Sequence, residues 1–183
     1  MRRAIGLAVV GVAAFVSMAR ADVVSGPTVG GDVPALKAHA STGASAGKEV
    51  DFTADRGKKP TIYILIQGEH WSRPMARFLK SLEGAVKKAN AETTIVAVWL
   101  TDDVGGLKTQ LPRVQESLKF ESTTLAVYEK DKSGPDQWAV NSDAHLTLAI
   151  AAEGKIAKTF GFVSVNDTLV PNVEAALKAA LDK

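Results

Sequence analysis

Thr61-Ile62-Tyr63-Ile64-Leu65-Ile66 and, a few residues on, Trp71-Ser72-Arg73-Pro74-Met75 decide how this chain folds. The first is a continuous β-branched and aromatic run, as expected of a central strand covered on both faces. The second opens a helix. Ser72 is a plausible N-cap, and Pro74 falls in the first turn, where a missing N–H costs little. Met75, Phe78, Leu79, Leu82, Val86 and Ala89 then recur at steps of three and four and make one apolar stripe.

Downstream the alternation continues. Residues 94–100 predict a second buried strand, closed by Thr101-Asp102-Asp103, and a helix is expected over residues 107–120. Residues 123–128 read as a third strand, and the polar stretch 129–142, with Gly134-Pro135, reads as a loop. Residues 146–151 and 155–163 predict two strands joined by Glu153-Gly154, and residues 171–181 a closing helix. Upstream, residues 47–52 suggest a short edge strand and residues 56–60 a turn. Residues 22–47 are rich in Gly, Ser, Thr, Ala and Pro and predict a flexible arm, extended or loosely ordered. The whole order implies an α/β domain over residues 48–183, with a mixed sheet and helices on both faces.

Residues 1–21 are set apart by composition. Arg2 and Arg3 precede an almost unbroken apolar run, Ala4 to Val16, and Ala19-Arg20-Ala21 offers small residues where a signal peptidase reads. This predicts a secretory signal peptide cleaved after Ala21, hence a periplasmic or secreted protein. The run is shorter than the roughly 20 residues a membrane span takes, so no span is expected after cleavage. The chain holds 22 Lys+Arg and 20 Asp+Glu; without Arg2, Arg3 and Arg20, 19 basic residues face 20 acidic ones, a net charge of −1. Nothing here points to nucleic acid, which calls for a clustered basic face. The chain has no cysteine, so disulfides, thiolate nucleophiles and lipid attachment through a thiol are all excluded.

Several short motifs in this order resemble the redoxin group of thioredoxin-like proteins, which includes peroxiredoxins and periplasmic thiol-disulfide oxidoreductases. Gly31-Asp32-Val33-Pro34 is similar to that group's Gly-Asp-x-x-Pro opening. Gly57-Lys58-Lys59-Pro60 before an apolar strand resembles its Gly-Lys-x-x-Val. His70-Trp71-Ser72-Arg73-Pro74-Met75-Ala76-Arg77-Phe78-Leu79 resembles its Trp-Cys-x-Pro-Cys helix start, and residues 144–154 resemble its cis-proline strand ending in an acidic-Gly turn. The resemblance implies a thioredoxin-like three-layer α/β/α sandwich with a mixed central sheet. It also implies that Ser72 stands at the attacking-cysteine position, Met75 at the resolving one, and His145 near the cis-proline. Neither a hydroxyl nor a thioether can exchange with a disulfide, so the redox chemistry of that group is unavailable here.

What the resemblance leaves is a surface. His70, Trp71, Ser72, Arg73, Pro74, Met75 and His145 are the candidate binding residues, expected to face a protein or peptide partner. No cofactor and no catalytic residue is expected. Ser72 could act as a nucleophile only with an oriented base such as His70 or His145, and no nucleophile elbow is present; an N-cap role is the simpler reading. An alternative is a metal- or anion-binding protein. His70, Asp102, Asp103 and His145, with Glu69, all fall near the carboxyl ends of the parallel strands, where two imidazoles and a carboxylate could hold zinc or copper. Arg73 and Arg77 beside a helix start favour an anion. Trp99 reads as core, whereas Trp71 and Trp138 fall in loops and could present aromatic surface to a partner.

Overall fold

The computed structural model describes residues 23–182; the expected leader lies outside the described residues. The strands are β1 (Lys37–Ala40), β2 (Glu49–Asp51), β3 (Thr61–Gln67), β4 (Thr94–Leu100), β5 (Thr123–Val127), β6 (Leu146–Ala152) and β7 (Lys155–Phe162). The helices are α1 (Phe52–Arg56), α2 (Arg73–Ala89), α3 (Val104–Leu118) and α4 (Val170–Leu181). One seven-stranded sheet runs in the order β2-β1-β5-β4-β3-β6-β7. β3, β4 and β5 are parallel, and every other pairing is antiparallel.

Pleating decides what each face of the sheet meets. Ile62, Ile64 and Ile66 of β3 alternate into a core shared with Phe78, Leu79 and Leu82 of α2, Leu111 of α3, and Val173 and Leu177 of α4. Tyr63 and Leu65 point the other way, into a second core with Leu36, Phe52, Val98 and Trp138. That second face is covered by α1, the segment around Val33 and Leu36, and the loop after β5. Burial on both faces is why β3 and β4 read as unbroken apolar runs.

Two sequence expectations change. Residues 22–47 are not a loose arm throughout. Residues 37–40 form β1, whose Ala38 and Ala40 are buried, and it pairs with both β2 and β5. Further back, Val23 N–H donates to Gly161 O at 3.0 Å, Gly30 N–H to Ile156 O at 2.8 Å and Val33 N–H to Gly154 O at 3.1 Å, so this segment runs along the β7 edge. The cause is tertiary: Lys-Ala-His-Ala has little intrinsic strand preference, and it is the waiting β5 edge that recruits it. The second change is Trp138, which is not surface. It is fully buried, its indole N–H donates to Ala35 O at 3.1 Å, and its ring meets Tyr63 edge-on at 5.3 Å. The polar loop around it is therefore a lid over the second core.

Helix α3 starts at Val104, earlier than expected, because the Asp103 carboxylate accepts from Gly106 N–H at 2.9 Å and caps it. Among the described residues no helix is long and apolar enough to cross a membrane.

Candidate functional site

The carboxyl ends of β3 and β4 are where the sequence places its candidate residues. β3 ends at Gln67, whose N–H donates to His145 O at 3.1 Å just before β6 begins. A single turn over residues 68–70 then leads to α2. That bond and that turn bring His70 and His145 face to face, with ring centroids 3.6 Å apart and planes 17° from parallel. Burial, with the neighbouring His70 charge adding to it, pulls the His145 pKa below the ordinary histidine value; the nearby Glu69 carboxylate opposes this. Glu69 Oε1 lies 3.6 Å from His70 Nε2. Among the described residues no peptide bond is cis, so His145 enters β6 through a trans bond.

The remaining candidates divide between surface and core. Ser72 and Arg73 are exposed, and Pro74 is half-buried. Met75 is 1% exposed and belongs to the core under α2, so its thioether is not part of any accessible surface. Trp71 is half-buried and meets the edge of Trp99 at 5.1 Å, which ties the loop down. Ser72 holds the N-cap position, yet its hydroxyl makes no capping hydrogen bond. A cap serine accepts from the second or third helical N–H, and the second residue here is Pro74, which has none.

The acidic candidates are engaged elsewhere. Asp102 Oδ2 pairs with Lys132 at 2.7 Å, and Asp103 is the α3 cap. Among the described residues no group of three or more His, Asp or Glu is placed to hold a metal ion. The stacked rings explain part of this: imidazole nitrogens bind in the ring plane, and near-parallel planes do not converge on one ion. The four residues His70, Asp102, Asp103 and His145 thus do not make one ligand set.

The site surface is polar. Among the described residues the large apolar side chains that stand exposed are Val24 and Val29, both in the segment along β7, and none lies beside Trp71. Two adjoining open clefts lie at this end of the sheet. One of about 350 Å³ is lined by Gln67, Glu69, Asp102, Asp103 and Lys132 among others. The other, about 230 Å³, shares Gln67, Glu69 and Lys132 and adds Asp131 and Ser142. Gln67 and Lys132 are lining residues that sequence reasoning missed. The only trace of Gln67 is that a polar residue ends an otherwise apolar strand.

No protein-family model matches the sequence, and no curated protein is similar to it. Solved structures are similar in fold. A Chlorobium tepidum protein assigned as the thiol:disulfide interchange protein DsbE is 19% identical, with 85% of this chain and 99% of that one covered and a TM-score of 0.63. The thioredoxin domain of a Bacteroides vulgatus thiol-disulfide oxidoreductase is 19% identical, covering 82% and 98%, with a TM-score of 0.58. Arabidopsis thaliana ScoI, solved with copper bound, is 14% identical, covering 83% and 99%, with a TM-score of 0.57. At such identities the likeness speaks to architecture. Together with the sheet order, it establishes the thioredoxin-like fold, here in a chain with no cysteine.

Proposed function

We propose that this protein is an exported thioredoxin-fold binding module, which holds a polypeptide at the carboxyl ends of β3 and β4 without redox chemistry. One observation carries the reading: the α2 start presents an exposed serine and a buried methionine in a chain without cysteine. No mixed disulfide can form, so whatever binds must do so non-covalently. The open clefts at the carboxyl ends of β3 and β4, lined by Gln67, Glu69 and Asp102 rather than by the α2 start itself, lie where α/β proteins place ligands. Among the described residues no large apolar side chain stands exposed beside Trp71, which counts against an apolar docking surface. Binding there would rest on hydrogen bonds and charge, as in a transient complex. Export rests on the composition of residues 1–21.

Native mass spectrometry of the mature protein, recovered gently from its own envelope fraction, tests this. The expected result is a discrete added polypeptide mass that persists in reductant. An added metal or cofactor mass, or a bare chain at every concentration and salt, would overturn the reading. Amino-terminal sequencing of the same sample should begin at Asp22.

A further inference from the structure

The cleft at the ends of β3 and β4 has a chemistry narrower than "polar". Pleating sends the Gln67 side chain to the same face as Tyr63 and Leu65, towards the loop 129–142. Gln67 is only 9% exposed, yet its side-chain amide enters none of the hydrogen bonds among the described residues, and the residue lines both clefts. Its amide opens onto the clefts and is reached by solvent rather than sealed in the core, so a visiting group can bond there in place of water. The rim supplies charge. Glu69, Asp102, Asp103 and Asp131 are carboxylates; Lys132 is the sole ammonium lining either cleft, and Asp102 already holds it at 2.7 Å.

We infer that this cleft binds an organic cation, a primary ammonium or a guanidinium, with the Gln67 carbonyl oxygen accepting at the floor and Glu69 and Asp102 drawing the charge at the rim. The volume suits one side-chain-sized group. Two sources share this chemistry: a free amine, or a lysine or arginine side chain of a bound polypeptide. The second source deepens the proposed function and rests on it; the first does not.

The experiment is an NMR titration of the mature protein with agmatine, N-acetyl-lysine amide and a short Gly-Lys-Gly peptide, with inorganic phosphate and N-acetyl-norleucine amide as controls. Saturable shifts of the Gln67 side-chain N–H₂ signals with the cations, and none with the controls, are expected. Glu69→Gln, at an exposed position, should weaken binding about tenfold and leave the fold intact, with spectral changes confined to its neighbours His70 and His145. Gln67→Met should do the same with the fold intact. Tighter binding of the peptide than of agmatine assigns the cation to a polypeptide, and the reverse assigns it to a free amine. Phosphate shifting Gln67, or no cation doing so at 10 mM concentrations on the order of weak side-chain binding, would overturn the inference. A polypeptide complex that survives Glu69→Gln unchanged would retain the proposed function and remove the cation site alone.

Discussion

At the residue scale, Ser72 and Glu83 show how position and partner separate. Ser72 occupies an N-cap and caps nothing: Pro74 at the second helical position has no N–H, and the N–H of Met75 at the third makes no bond to the hydroxyl. Ser72→Ala should therefore change stability by less than about 0.5 kcal/mol, where a working serine cap would cost about 1. Equilibrium urea unfolding checks it. Glu83 is the opposite case, a carboxylate 2% exposed on the apolar side of α2. It accepts from Glu121 N–H and Ser122 N–H, each at 2.9 Å, and from the Thr123 hydroxyl at 3.0 Å, while Lys80 reaches it at 3.0 Å. Burial alone would raise its pKa. The bonds from Ser122, Lys80, Glu121 and Thr123 outweigh burial and hold it below the ordinary glutamate value. Glu83→Ala orphans two backbone donors and should cost about 3 kcal/mol. The sign with pH follows: a depressed carboxyl stabilises fully above its unfolded value and loses that contribution as pH falls through the folded one. The stability lost on Glu83→Ala should accordingly shrink below about pH 4 in acid titrations.

The stacked histidines carry a second pH dependence. His145 is depressed by burial and by His70, so the fold disfavours its protonation. The stability linked to His145 is intact above the unfolded histidine value of about 6.5 and falls as pH drops through the folded one. His70→Phe removes the facing charge but keeps an aromatic face, and should raise the His145 pKa. An NMR titration of the imidazole C–H signals reads this directly.

At the element scale, the pieces legible in the sequence are those that local pattern controls. β3, β4 and the α2 stripe were readable because buried parallel strands run apolar and amphipathic helices repeat at three and four. β1 was not, since Lys37-Ala38-His39-Ala40 gains its strand geometry only from the β5 edge. Trp138 was misread for a related reason: a polar loop announces solvent, while its one large ring sits under Tyr63. Of the candidate site, the nearness of His70 to His145 followed from placing both at strand ends. The burial of Met75 was legible in its place on the α2 stripe, and it is the reading of Met75 as a binding residue that fails. The engagement of Asp102 by Lys132 depends on side-chain directions that spacing does not encode. The lid reading makes a sharp prediction. Trp138→Ala should cost about 3–5 kcal/mol in urea unfolding, far above the cost of any other substitution in the 129–142 loop. A cost under 1 kcal/mol would return that loop to the solvent.

At the scale of the whole molecule, a sheet usually paired with thiol chemistry is kept without a sulfur nucleophile. Two cores, one on each face, hold the sheet without disulfides, and burial with hydrogen bonding is sufficient for a domain of this size. What the architecture retains is a helix start, a histidine pair and open polar clefts gathered at one end, while the turn at Lys58 marks the other. The central claim is that binding belongs to the first end and needs no thiol. The most direct measurement places a photo-crosslinking residue at Ser72, at Lys132 or at Lys58 in the full chain, expressed in its own cells, and irradiates them intact. The account predicts one shared polypeptide adduct from positions 72 and 132, formed equally in reductant, and none from position 58. Adducts from Lys58 alone, or none from any position, would contradict it.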